Sequence, residues 1–417
     1  MTKALYDIDP YKTKFDAVIV QCNKNEEGLY EIELDQTGFF PEQGGQTPDV
    51  GIIEVQRTNV ERPKGDGLQF EVIDVQIKDG NITHVIKPLV SNQIDMESGQ
   101  ITKFLTPGNN VNGFVDWEHR FSNMQQHSGE HIFSGLVHEL FGYDNVGFHL
   151  SDSVVTMDFN GVLSAEEVAE IETRANAVII SNLPINISYL KTEEEKASVE
   201  YRSKIEIEGD VRIVTIPNVD VCACCAPHVH STGEIGMLKV MGMENYKGGV
   251  RVSILCGMRA LKAFRQGVAI VDALVNVLNV PAGELVENVQ KIQQNVNDLK
   301  YSLGKYMYED LVRQAEAIPD TEEDAFLFTG DVDNKAMREC VNTMMEKHAG
   351  YCGIFAGSDN DYRFIIGSKT RNCNDVVALL RDKCNAKGGG KPQMVQGSVE
   401  ASKEDIIFYC AKVNFVV

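Results

Sequence analysis

Gln125-Gln-His-Ser-Gly-Glu-His-Ile-Phe133 decides how this chain is read. Its apolar spacing predicts a helix from His127 to Leu140, and on a helix His127 and His131, four apart, leave the same face and can share one ion. Histidine pairs at this spacing are also found buried, solvated or stacked, so a metal reading needs a second half. Cys224-Cys-Ala-Pro-His228 offers one: a thiolate and an imidazole in a Pro-containing turn. Three His and one Cys suit zinc, which accepts mixed nitrogen and sulfur ligands tetrahedrally. Cys222, Cys225 and His230 are rival ligands that spacing alone does not exclude; their plain reading is a reduced buried thiol or a solvated imidazole. Seven of the ten cysteines are scattered singly and three crowd into 222–225, which favours metal over a disulfide framework. His127-Ser-Gly-Glu130-His131 also fits the H-x-x-E-H pattern of inverted zinc peptidases, with Glu130 as general base. Such enzymes complete the site with a carboxylate, and the Cys224/His228 pair argues against that reading.

Working outward, residues 1 to about 105 carry short alternating runs such as Asp16-Ala-Val-Ile-Val-Gln and Leu29-Tyr-Glu-Ile-Glu-Leu, broken by Gly, Asn and Pro, and predict a small β-barrel. Residues 106–260 mix a second helix from Ser164 to Asn182 with strands near Ile185 and Val211, an α+β core. Residues 261–318 read as helical with a break at Pro281-Ala-Gly. There Leu285, Val289, Ile292, Val296, Leu299, Leu303 and Tyr306 keep 4,3 spacing over three heptads, a seam that fits either a partner helix or packing on its own domain. Beyond an acidic linker, Asp320-Thr-Glu-Glu-Asp, residues 319–417 read as α/β with strands at Tyr351–Ala356, Phe364–Gly367 and Ile406–Tyr409. The fold class expected is therefore α+β and multidomain.

Composition bounds the function. Sixty-one acidic against 39 basic residues give a formal charge of −22, so the average surface repels phosphate and a nucleic-acid partner needs a local basic region. One lies between Arg363 and Lys391, where seven Lys or Arg face two Asp. It ends in Lys387-Gly388-Gly389-Gly390-Lys391, whose glycine amides can meet phosphate oxygens although no Walker A loop follows. A solvated charged face is the plain alternative. No apolar run approaches the roughly 20 residues of a bilayer span and the first residues lack a signal-peptide core, so the expected location is cytoplasmic. A second glycine motif is Thr37-Gly-Phe-Phe-Pro-Glu-Gln-Gly-Gly-Gln46-Thr-Pro-Asp49: Gly44 and Gly45 permit close backbone approach, and Thr37 and Gln46 offer neutral hydrogen bonds. It reads as a substrate wall or as a turn between barrel strands.

Three of these motifs resemble those of the free-standing alanyl-tRNA editing proteins, relatives of the editing domain of alanyl-tRNA synthetase. Thr37 to Asp49 is similar to the family's T-x-F-Y-P-E-G-G-G-Q-x-x-D, His127/His131 to its HxxxH, and Cys224 to Gly236 to its C-G-G-T-H followed by TGEIG. Arg251 matches a usual basic position, and Gly388 onward resembles the DHHA1-type domain of the long form. Cys225-Ala-Pro stands where Gly-Gly-Thr is usual, and Gln43 stands in place of a Gly. The resemblance implies hydrolysis of serine, and by extension glycine, from mischarged tRNA(Ala). It implies one zinc ion at His127, His131, Cys224 and His228, and catalytic roles for Thr37, Gln46 and Arg251. Gly44, Gly45, Gly388, Gly389, Gly390 and Lys391 would bind substrate, and the helical segment with the C-terminal domain would make a homodimer. A non-enzymatic tRNA-binding module with a structural zinc is the other RNA reading.

Overall fold

The computed structural model describes residues 1–56, 68–89, 101, 104–203, 209–320 and 324–412; the middle of the acidic linker, 321–323, lies outside them. The protein is a mixed α+β chain of two compact units, 1–270 and 271–417.

The first unit opens with a closed six-stranded barrel of β1 (Lys14–Lys24), β2 (Tyr30–Leu34), β3 (Gly51–Val55), β4 (Leu68–Lys78), β5 (Asn81–Pro88) and β6 (Asn110–Val115), in the order β1-β2-β5-β4-β3-β6. Every neighbouring pair is antiparallel. Alternation makes it close: Phe15, Ala17 and Ile19, then Tyr30, Ile32 and Leu34, point inward while Asp16, Glu31 and Glu33 face out. Gly113 is required by packing, because a Cβ there would sit 2.2 Å from the Phe15 ring. Closure leaves the barrel without a bare edge.

His84 points into the barrel and is wholly buried. Its Nδ1 faces the Ile32 carbonyl at 3.2 Å and its Nε2 meets the Thr37 hydroxyl at 2.8 Å, an arrangement satisfied by a neutral ring. Burial depresses its pKa to about 4. The unfolded chain, near 6.5, takes up this proton first, so stability is intact above pH 6.5 and falls as pH drops toward 4. The expected loss is about 3 kcal/mol. Urea unfolding at pH 7 and pH 4.5 should show a steeper acid loss in the wild type than in His84→Gln; equal slopes would contradict this assignment.

The barrel leads into α1 (Trp117–Phe141), which starts ten residues before His127 because Asp116 caps it, its carboxylate accepting from His119 N–H. Strands β7 (Asn145–Leu150) and β8 (Val155–Phe159) follow, then α2 (Ala165–Ile180), whose Ser164/Glu167 capping box fixes its start. Next come β9 (Asn186–Leu190), β10 (Val211–Ile216), β11 (Asp220–Ala223), β12 (Leu238–Tyr246) and β13 (Gly249–Cys256). Two antiparallel sheets result, β12-β13-β8-β7 and β9-β10-β11. Met124, Ile132, Phe133 and Val137 of α1 join Met157, Phe159, Val252 and Ile254 of the larger sheet in one core. Helix α3 (Gly257–Leu278) carries the chain across the unit boundary.

In the second unit, α4 (Leu285–Ala317) buries only Leu311 and Ala315, while Val289, Ile292, Val296, Leu299, Leu303 and Tyr306 are 42–69% exposed. Its sheet combines β14 (Ala325–Thr329), β15 (Cys352–Ser358), β16 (Asp361–Gly367), β17 (Lys387–Lys391) and β18 (Met394–Val399) in the order β14-β15-β16-β18-β17. The end of α4 and α5 (Asn334–Lys347) pack with one set of sheet residues; α6 (Cys373–Cys384) and α7 (Lys403–Lys412) pack with another. The strand expected at Ile406–Tyr409 is part of α7. Ser402 accepts from Asp405 N–H to start that helix, and Ile406 and Cys410, one turn apart, are buried whereas Ile407 and Phe408 are exposed. A four-residue apolar run does not separate strand from helix; the periodicity of its burial does. Among the described residues no single helix is long and apolar enough to cross a membrane.

Candidate metal centre

Helix α1 presents His127 and His131 on one face, and the turn after β11 presents Cys224 and His228. Arg212 holds that turn, donating from Nη1 to the Cys224 and Ala226 carbonyls at 2.7 and 3.0 Å. Cys224 Sγ lies 3.4 Å from both His127 Nε2 and His228 Nε2, and one ligand atom from each of the four residues falls within 4.8 Å of the others. In a tetrahedral site with metal–nitrogen bonds of about 2.0–2.1 Å and a metal–sulfur bond of about 2.3 Å, the sulfur–nitrogen edge is roughly 3.5 Å. The residues therefore fit a metal ion.

The outer nitrogens agree. His127 Nδ1 donates to Gln46 Oε1 at 2.8 Å, His131 Nδ1 to Asp220 Oδ2 at 2.8 Å, and His228 Nδ1 lies 3.0 Å from Ser128 Oγ. An amide oxygen and a carboxylate only accept, so the protons of the His127 and His131 rings sit outward and their Nε2 atoms face the centre; the Ser128 hydroxyl can serve His228 in either role. Asp220 is held in turn by Arg202 at 2.8 Å. A single thiol proton does not serve three converging imidazoles, whereas one cation does.

Ionisation sorts the cysteines. Burial opposes the Cys224 thiolate, but His127 and His228 beside it, with hydrogen bonds from His127 and His131, hold its pKa well below the usual thiol value. Burial pushes Cys222 up to about 11, and burial with the neighbouring Cys224 charge pushes Cys225 up to about 12. Burial lowers His228 to about 3, leaving its ring neutral with a lone pair to give. Burial works against charging His131 as well, yet Asp220 and the nearby sulfurs raise its proton affinity, surroundings that equally attract a metal cation. Cys222 does approach His131 and Asp220, but there the Arg202 guanidinium already neutralises the carboxylate. His230 is exposed and stacks on Tyr11 instead. Glu130 is buried, accepting from Ser134 Oγ at 2.7 Å and Asn145 Nδ2 at 2.6 Å, bonds that make it a brace between α1 and β7.

The glycine motif reaches this centre through Gln46. Gly44 and Gly45 have φ of 63° and 80°, and a Cβ on Gly45 would lie 2.5 Å from the Phe148 carbonyl, so only glycine lets the loop close on β7. The Phe148 ring in turn sits 4.8 Å from that of His127. Gln46 is fully buried; its Oε1 is taken by His127 and its Nε2 has no hydrogen-bond partner among the described residues. Gln46→Ala is expected to weaken metal binding about 10- to 100-fold in competition with a chromophoric chelator. Gln46→Glu, which keeps an acceptor, should lose less; an unaltered alanine variant would show that the bond orients nothing.

Other sequence candidates lie elsewhere. Thr37 is buried with its hydroxyl on His84, accepting also from Phe39 N–H at 3.1 Å. Arg251 pairs with Asp158 at 2.6 and 2.8 Å and stacks on Tyr246 at 3.8 Å. Its strand neighbours Val250 and Val252 point into the core, so Arg251 is on the opposite, solvent-facing side of the sheet. Gly388, Gly389, Gly390 and Lys391 form edge strand β17 of the second unit. Five of the seven basic residues nearby have carboxylate partners: Arg363 with Asp331, Lys369 with Glu346, Arg371 with Asp324, Lys383 with Asp382 and Lys387 with Glu400. The local charge reversal is thus largely offset. Spacing did not reveal Ser128, Asp220 or Arg202, nor the buried pair of Arg120 with Asp49. Arg120 also donates to the Pro10 and Gly38 carbonyls, and Asp49 closes the glycine motif.

Residues 211–253, which carry Cys224 and His228, match the threonyl and alanyl tRNA synthetase second additional domain. Alanyl-tRNA editing protein AlaX-L of Pyrococcus horikoshii is 27% identical over 417 residues, covering 97% of this chain and 96% of that protein. The alanine-tRNA ligase of Pyrococcus furiosus is 27% identical over 97% of this chain, which spans 43% of the ligase. Alanyl-tRNA editing protein Aarsd1 of Bos taurus is 30% identical over 69% of this chain and 62% of its own length. The C-Ala domain of Aquifex aeolicus alanyl-tRNA synthetase aligns with 22% of this chain and 88% of the domain at 16% identity and a TM-score of 0.20, too low to bear on the fold. The segment that carries Cys224 and His228 is thus similar to a tRNA-synthetase second additional domain. This chain is AlaX-L-like over its full length and related to the editing region of the alanine-tRNA ligases.

Proposed function

We propose that this protein hydrolyses the ester joining serine or glycine to tRNA(Ala), with zinc held by His127, His131, Cys224 and His228. The observation that carries the reading is the tetrad itself, braced through Gln46 by the glycine loop, in a chain AlaX-L-like from end to end. The need is physical: a synthetase pocket for a small apolar side chain rejects an added hydroxyl only about a hundredfold, so a second sieve has to recognise it. When held by these four residues, zinc would supply a fixed positive charge that orients and polarises the aminoacyl group beside it.

The chain's own residues do the rest. Gln46 Oε1 fixes the His127 ring, and its unspent Nε2 amide is the donor we assign to the aminoacyl group, which leaves Gln46 rather than Thr37 as the sieve. Thr37, committed to His84, shapes the loop floor behind Phe39. Gly44 and Gly45 let the loop approach the ester closely. Arg251 and the Gly388–Lys391 strand enter no chemical step; their place in the proposal is contact with the RNA backbone. The engaged carboxylate of Glu130 speaks against the peptidase alternative.

The test is deacylation of Ser-, Gly- and Ala-tRNA(Ala) by purified protein with and without chelator. Loss of the seryl ester, sparing of the alanyl ester, and arrest by chelation are expected; binding of tRNA with every ester intact would leave a binding module with a structural metal. The apolar stripe on α4 we assign to a second copy of the chain. Sedimentation at micromolar concentration should give twice 46.3 kDa, and monomer alone would remove that assignment.

A further inference from the structure

Beside the tetrad lies an aromatic cluster that the chemistry above does not use. The exposed His230 ring stacks on Tyr11 with centroids 4.0 Å apart and planes 16° from parallel. Tyr11 meets Trp117 at 5.2 Å, and Trp117 stacks on Phe121 at 5.0 Å and 29°. Trp117, the one tryptophan of the chain, is 36% exposed.

The cluster is held in place. The Tyr11 hydroxyl is hydrogen-bonded to Glu234 and accepts from His230 N–H at 3.2 Å, and Tyr11 N–H donates to Asp9 at 2.9 Å. Glu234 is tied to α1 through its carbonyl, which accepts from Gln125 at 2.9 Å. Rings fixed this way lose little freedom when another flat group stacks on them.

Position names that group. His230 is two residues from His228, at most about 7 Å along the chain, and Trp117 is ten residues before His127 on α1, about 15 Å at helical rise. Nucleotides stacked at about 3.4 Å each would cover that span in two to four steps. The charges next to these rings are mixed, Asp9, Glu118 and Glu234 against the exposed Lys12, so this surface is not built as a phosphate-attracting patch. Aromatic rings next to a centre that cleaves an ester at an RNA terminus fit bases read by stacking.

We infer that His230, Tyr11 and Trp117 form a stacking platform for the unpaired nucleotides at the 3′ end of the tRNA. This rests on the editing reading, but it is tested apart from it. The probe is an unacylated RNA hairpin with a four-nucleotide unpaired 3′ tail, titrated into the full-length protein while Trp117 fluorescence is followed, with a blunt hairpin as control. The tailed hairpin should quench Trp117 and the blunt one should not. His230→Ala should weaken tail binding about tenfold or more at unchanged metal content, while His230→Phe, which keeps a ring, should retain it. Equal quenching by both hairpins, or an alanine variant with wild-type affinity, overturns the platform. Hydrolysis of the seryl ester by a protein whose Trp117 stays unquenched also overturns it and leaves editing standing. Tail-dependent quenching with an inert ester supports the platform and sinks the editing reading.

Discussion

A Cys224→Ala/His228→Ala variant is expected to purify without metal and to lose deacylation by about a thousandfold or more, some 4 kcal/mol of transition-state stabilisation. The reason is geometric. Cys224 and His127 are 97 positions apart in the chain yet 3.4 Å apart in space, and with two of four ligands gone no metal site remains. Loss of the clamp should also lower the melting temperature, since a metal that binds only the folded chain stabilises it by mass action. Cys222→Ala and Cys225→Ala provide the contrast: both thiols are held protonated by burial, so both variants should keep their metal. Metal analysis beside single-turnover deacylation decides it. Wild-type metal content in the double variant would mean that the ligands are misassigned.

The second large effect is on stability. Arg120 and Asp49 form an ion pair with both side chains wholly buried, and Arg120 further donates to Pro10 and Gly38 while Asp49 accepts from Phe40 N–H. Removing one partner strands the other charge in the interior, which costs about 3–5 kcal/mol. Asp49→Ala should therefore lower the melting temperature by the order of 10 °C in calorimetry, from roughly 2–4 °C per kcal/mol for a unit of this size. Replacing both partners, Asp49→Leu with Arg120→Met, should recover part of the loss, because apolar groups carry no unpaired charge. A single variant within about 1 kcal/mol of wild type would contradict this. The pair joins α1, seven residues before His127, to the glycine motif, three residues after Gln46. Even where Asp49→Ala remains folded, looser metal binding is expected.

What was legible in the sequence follows from the range of the interactions. Barrel strands announce themselves because burial alternates residue by residue, as in Tyr30-Glu-Ile-Glu-Leu34. The His127/His131 pair is visible because helical geometry links positions four apart. The start of α1 was missed by ten residues, although Asp116, an N-cap residue, stands directly before it. Ile406–Tyr409 misleads because a short apolar run has no period of its own. The outer partners of the metal site were hidden for a different reason. Ser128 lies 100 positions from His228, Asp220 lies 89 from His131 and Gln46 lies 81 from His127, and no local rule connects such residues. Gln46 offered an amide to the sequence reader, who could assign it to a substrate; only the fold shows its oxygen committed to an imidazole. The basic run from Arg363 to Lys391 misleads in the same way, because most of its carboxylate partners come from outside the run.

The most direct measurement of the central claim is X-ray absorption at the metal edge of the purified, metal-loaded protein. One sulfur at about 2.3 Å and three imidazole nitrogens at about 2.0–2.1 Å around a single ion are predicted, with the sulfur signal gone in Cys224→Ala. Two or more sulfurs, or a sulfur shell that survives that substitution, would contradict it.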